Sequence, residues 1–122
     1  MSDKKVIKRD GRVVDFDQQR IEKAIRKSML SIGKADEDKL RKVMKGVQKA
    51  IDAIYSEDKT PSVEQIQDIV ELELMKQDLF NVAKSYILYR KERERIRDEK
   101  RAILKKEYLD EVDKAFSTNA LR

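Results

Sequence analysis

The sequence predicts a mostly α-helical α+β fold: an N-terminal β-hairpin lid on a four-helix bundle, with a C-terminal helical extension. Three observations carry that prediction. Asp10-Gly11 stands between two short runs rich in Val and Ile, as a hairpin turn does. From Ile21 onward, apolar residues recur at helical spacing in successive blocks. Charged residues make up 43% of the chain and Trp is absent, as expected of helices with thin apolar stripes and a charged surface.

The hairpin is expected from about Val6 to Phe16, closed by a two-residue turn at Asp10-Gly11 with positive φ at Gly11. Asp17 sits where an N-cap belongs, its carboxylate able to accept from the free amides of a helix starting at Gln18. That helix carries Ile21, Ala24, Ile25, Met29 and Ile32 on one face, and Gly33 is placed to end it. Asp36 caps a second helix lined by Leu40, Val43, Met44, Val47, Ile51, Ile54 and Tyr55, the cleanest periodicity in the chain. Gly46 lies inside that helix at a cost of about 1 kcal/mol relative to Ala, which suggests a close helix–helix approach. Ser56 to Thr60 is a polar connection.

Pro61-Ser62 opens the third helix, and Ser62 with Gln65 three residues on makes a capping box. Ile66, Ile69, Val70 and Leu74 continue its apolar face, and Gln77-Asp78 marks a break. A fourth helix carries Leu79, Val82, Ala83, Tyr86, Ile87 and Arg90, and residues 91–112 read as its continuation, with Ile96, Ile103 and Leu104 as sparse contacts.

With 122 residues the chain fits one domain able to fold without staples. The absence of Cys and His argues against disulfides, a structural zinc site, thiol catalysis and imidazole acid–base chemistry. No apolar run is long enough to span a bilayer, and Met-Ser-Asp-Lys-Lys lacks the apolar region of a signal peptide, so a cytoplasmic location is expected. The net charge of +5 is unevenly placed: residues 1–27 hold nine Lys and Arg against five acids, and residues 88–122 eleven against eight. The centre has nine against eleven. Basic ends suit an anionic ligand bound where they converge. The closely alternating charges near the C-terminus are the pattern of a solvated helix, so nucleic acid is not the expected partner.

A hairpin bearing Lys8, Arg9 and Arg12 that runs into a helix N-terminus gathers cations and unpaired amides, a combination suited to a polyphosphate. A solvated basic hairpin accounts for the same residues. Gln67 offers a donor and an acceptor for an adenine edge, and Tyr86 and Arg90 share a helix face. No Gly-rich phosphate loop of the Walker type and no hydrolytic carboxylate pair is present, so catalysis is not expected.

Lys8-Arg9-Asp10-Gly11 after an apolar pair, then a β-branched and aromatic run, Phe16-Asp17 and Arg20-Ile21 opening a helix, resembles the start of an ATP-cone. This is the regulatory nucleotide-binding domain at the N-terminus of many ribonucleotide reductase catalytic subunits, also found in a related transcriptional repressor. Ser62 to Glu71 resembles its third helix and Val82 to Arg90 its fourth, so the likeness spans about residues 4 to 95. The tail Ala115 to Arg122 resembles the segment that begins a reductase catalytic domain, which implies a regulatory domain over 1–95 and a helical linker over 96–122 leading into an absent catalytic domain.

The resemblance implies ATP or dATP as effector, with Mg²⁺ brought by the nucleotide, and control of overall activity and oligomeric state. It implies Lys8, Arg9 and Arg20 as phosphate ligands, with Arg90 and Lys91 further along. The base would lie against Val6 or Ile7, Ile21 and Ile25, near Gln67 and Tyr86, with Asp10, Gly11 and Asp17 shaping the turn and the cap. The partners implied are adenine nucleotides, the catalytic domain of the same polypeptide and further copies of the chain. Two alternatives remain: a nucleotide-sensing transcriptional regulator, against which the missing cysteines argue, and a ligand-free helical interaction module.

Overall fold

The computed structural model describes residues 4–120. Strands β1 (Lys5–Ile7) and β2 (Val13–Asp15) form an antiparallel hairpin, followed by helices α1 (Gln18–Ser31), α2 (Glu37–Ser56), α3 (Val63–Lys76) and α4 (Phe80–Ala120). The expected hairpin on four helices is therefore the fold.

The hairpin differs from expectation at its turn. Lys5, Val6 and Ile7 pair with Asp15, Val14 and Val13, and Lys8 N donates to Arg12 O at 2.7 Å. Arg9, Asp10 and Gly11 are left as a three-residue loop, not two. Gly11 N donates to Lys8 O at 2.9 Å, Asp10 Oδ1 accepts from Arg12 N at 3.1 Å, and Gly11 has φ of +89°. A turn followed by a left-handed glycine is the usual three-residue solution.

Each helix starts where a side chain can cap it. Asp17 accepts from Gln19 N, Asp36 from Lys39 N, and Ser62 and Gln65 complete their reciprocal box at 3.1 and 2.9 Å. Gly33 ends α1 with positive φ. Helices α2 and α3 end differently, in motifs where the left-handed residue is Asp58 or Asp78. Lys59 N and Leu79 N reach back to Ile54 O and Leu74 O, as in a Schellman cap.

The chain's contacts divide it into a unit ending at Ile87 and a second unit from Leu88 onward. In the first, Val6, Ile25, Met29, Leu40, Val43, Val47, Ile51, Ile66, Val70, Leu74, Val82 and Tyr86 form one buried core. Ile32, expected on the core face of α1, is its C-cap and half exposed, because the helix stops one residue short of turning it inward. Helix α2 packs chiefly on α3. At Gly46 a Cβ would lie 2.8 Å from Glu73 Cδ, overlapping a buried carboxylate that Lys76 holds at 2.9 Å. Ser31 Oγ and Ser85 Oγ, 2.6 Å apart, join the end of α1 to α4.

The second unit is helix throughout, from Leu88 to Ala120 among the described residues, and Leu121 and Arg122 lie outside them. Ile96 is half-buried, but Ile103 and Leu104 are 57% and 65% exposed. Among the described residues no helix is long and apolar enough to cross a membrane.

Candidate functional site

The hairpin bears the candidate residues Val6 to Gly11, and bonds from β1 and Lys4 fix it to the helices. Ile7 N donates to Pro61 O at 3.0 Å, bridging Ile7 to Ser62 in parallel register. The Tyr55 hydroxyl donates to Lys5 O. Lys4 Nζ pairs with Asp52 Oδ1 at 2.9 Å and lies 5.7 Å from the centroid of the Tyr55 ring. Lys4, with Gln48 adding a second bond, holds the Asp52 carboxyl below its ordinary range. Burial, then the Asp52 charge, pushes the Tyr55 phenol up. None of these anchors was legible in the sequence, because the partners stand 48 and 50 positions apart with no local pattern joining them.

Alternation along β1 decides which side chains face the helices. Val6 is buried in the core, and Lys8, two positions on, shares its face. Lys8 is half-buried, and its ammonium has no ion pair or hydrogen bond among the described residues. The Ile7–Ser62 bridge places it beside the capped N-terminus of α3. On α3, Gln67 is half-buried and its side-chain amide has no partner among the described residues. Arg9 is exposed in the loop. Arg12 is committed to Asp10, Nε to Oδ2 at 2.7 Å.

Asp17 and Arg20 lie past the other, open end of the ladder, with Asp17 about 16 Å along the chain direction from the Lys8–Arg12 pair. There Arg20 Nε stands 3.9 Å from Asp17 Oδ2, both side chains exposed. The positive charge that the sequence suggested in one place is thus spread over two patches, because the register puts the turn and the helix start at opposite ends. Of the apolar candidates, Val6, Ile25 and Tyr86 are core, while Ile7 and Ile21 keep some open surface. Arg90 and Lys91 belong to the second unit, one helical turn beyond Tyr86, with Lys91 exposed and Tyr89 and Arg90 half-buried.

Two depressions lie elsewhere, about 430 Å³ lined by Lys34 to Asp38 and about 250 Å³ lined by Gln18, Glu22, Glu37, Leu40, Arg41 and Met44. Arg26 bridges Glu22 and Glu37 at 3.4 and 2.8 Å, which ties α1 to α2 and holds the Glu37 carboxyl low. Two carboxylates on that wall suit a triphosphate poorly. No three acidic residues are grouped to hold a metal among the described residues.

An unpaired, half-buried lysine on a hairpin bonded to the start of a capped helix is an anion-seeking arrangement. Residues 4–95 match the ATP cone domain. The chain belongs to the ATP-cone family. It is 42% identical over 105 residues to a vitamin B12-dependent ribonucleoside-diphosphate reductase of Thermoplasma acidophilum, covering 80% of this chain and 13% of the relative. It is 36% identical over 101 residues to the ribonucleoside-diphosphate reductase subunit alpha of Chlamydia trachomatis, covering 76% and 10%. An anaerobic ribonucleoside-triphosphate reductase of Haemophilus influenzae is 38% identical over 107 residues, covering 88% and 15%. The ATP-cone of this chain is a nucleotide-binding regulatory domain, and the chain spans about an eighth of the length of these curated relatives.

Proposed function

We propose that this ATP-cone binds ATP and dATP as allosteric effectors of a cytoplasmic ribonucleotide reductase and sets its overall activity and oligomeric state. ATP favours the active assembly and dATP an inhibited one. Residues 1–95 form the regulatory unit, and residues 96–122 are the helical linker toward the catalytic domain, to which the chemistry belongs.

The observation that carries this reading is Lys8: a half-buried lysine whose ammonium has no partner among the described residues, on the strand that bridges to the start of α3. A phosphate would give that ammonium a charge-assisted bond. Arg9 and, toward the other end of the ladder, Arg20 add further cations, with Asp10, Gly11 and Asp17 setting the backbone between them. Ile7 and Ile21 offer apolar surface for the base next to Val6, and Gln67 offers hydrogen bonds to its edge. Mg²⁺ arrives on the phosphates, as it does where proteins lack a dedicated carboxylate cage.

Calorimetric titration tests the reading. ATP and dATP with Mg²⁺ bind in the micromolar range, about −7 to −9 kcal/mol, and guanine and pyrimidine triphosphates much more weakly. An absence of both heat and thermal stabilisation with either adenine nucleotide overturns it.

A further inference from the structure

The second unit is a single helix with no other element of its own to cover it among the described residues. Its apolar residues are nonetheless concentrated: Ile103, Leu104, Tyr108 and Leu109 fall within two turns, all between 49% and 66% exposed. Leu104, Tyr108 and Val112 form an i, i+4, i+8 row, with Ala115 on the same side. Isolated helices draw little stability from propensity alone, so such a row calls for a covering partner.

The charges flanking the row say which partner. Residues 97–106 hold five Lys and Arg against two acids, and residues 107–113 hold four acids and no cation. Lys100, Arg101, Lys105 and Lys106 have no ion pair among the described residues, and neither have Glu107, Asp110, Glu111 and Asp113. The basic block ends where the acidic block begins, between Leu104 and Tyr108 of the apolar row. A segment with that layout is complementary to itself when reversed: the basic half of one copy faces the acidic half of another while the apolar rows meet. Parallel pairing would set like charge against like.

We propose that residues 97–115 of α4 form an antiparallel two-helix interface with a second copy of this chain. The interface is independent of the nucleotide site and holds whether or not the chain responds to adenine nucleotides.

Sedimentation velocity on the full 122-residue chain, without nucleotide, tests it. A monomer–dimer equilibrium is expected, weakening by about tenfold or more between about 50 mM and about 500 mM salt as the opposed charges are screened. Association that strengthens with salt denotes parallel or purely apolar pairing and overturns the antiparallel assignment. A chain that stays monomeric at low salt overturns the proposal altogether. Leu104→Gln with Tyr108→Gln removes exposed side chains only, so it yields a monomer whose first unit melts unchanged. Reversing the basic block (K100E, R101E, K105E, K106E) or the acidic block (E107K, D110K, E111K, D113K) abolishes self-association in each variant. Mixing the two restores it as a heterodimer, and failure of the mixture to associate refutes charge-directed pairing.

Discussion

Lys8 and Gly46 show how single residues carry this domain, one by an interaction not made and the other by an atom not present. Lys8 is half-buried, and its ammonium has no partner among the described residues. Lys8→Ala should weaken ATP binding by about 1.5–3 kcal/mol, the scale of a charge-assisted hydrogen bond. Titration calorimetry reads that loss, and a melting point that does not fall would show the lysine serves the ligand and not the fold. At Gly46 the missing Cβ makes room for the Glu73 carboxylate, whose side chain is 11% exposed. Gly46→Ala gains about 1 kcal/mol of helix propensity but displaces a buried charge, so the variant should be less stable than the parent. In a Glu73→Ala background the same substitution should become stabilising. Urea unfolding of the four proteins measures this coupling, and equal effects in both backgrounds would mean that the carboxylate moves aside freely.

The hairpin and the helix ends mark what the sequence shows and what it hides. Asp17, Asp36 and the Ser62–Gln65 box were legible because a cap is a contact between neighbours, written at fixed short spacing. The core faces of α1 to α3 were legible by period. The ends of α2 and α3 were less so, because Asp58 and Asp78 take the left-handed position where glycine is the usual signal. The three-residue turn escaped because Asp10-Gly11 serves a two-residue loop equally well, and only the register of the strands decides between them. Gly11, at φ +89°, is the residue on which that turn depends. Gly11→Val should keep helical circular dichroism yet lower ATP affinity by about tenfold or more, since the strained backbone would displace Lys8 and Arg9. Unchanged affinity in the folded variant would remove the hairpin from the site.

The anchoring of the same element predicts a pH response. Asp52 is held below its ordinary value of 3.8, chiefly by Lys4. A carboxyl whose folded pKa is depressed stabilises the fold fully above its unfolded value and loses that contribution as pH falls through the folded one. Melting points should therefore drop more steeply below about pH 4 in the parent chain than in Asp52→Asn. Parallel curves would mean that the Lys4–Asp52 pair contributes nothing measurable, as exposed pairs often do.

At the scale of the whole molecule, the core draws on residues as far as Tyr86, and a second unit begins at Leu88. The two parts should therefore separate in function. Removing residues 96–122 should leave nucleotide affinity within about twofold while abolishing self-association, as titration and sedimentation would show. A truncated chain that no longer binds would assign part of the site to the extension. The sequence announced the extension through its alternating charge and sparse apolar residues. The helix expected over residues 91–112 already holds the row Leu104, Tyr108 and Val112 and the change of charge sign, and α4 runs on past it to Ala120.

The bond from the Ile7 amide to Pro61 has a bearing on time as well as place. Adjacent helices meet through short connections, whereas the hairpin reaches partners about 50 positions away, which makes its docking the non-local step of folding. An element joined last and by few bonds is also the one that opens first, below the free energy of global unfolding. Exchange of the Ile7 amide hydrogen with solvent therefore reports hairpin opening separately from unfolding of the helices. It times that opening apart from the unfolding of the helices.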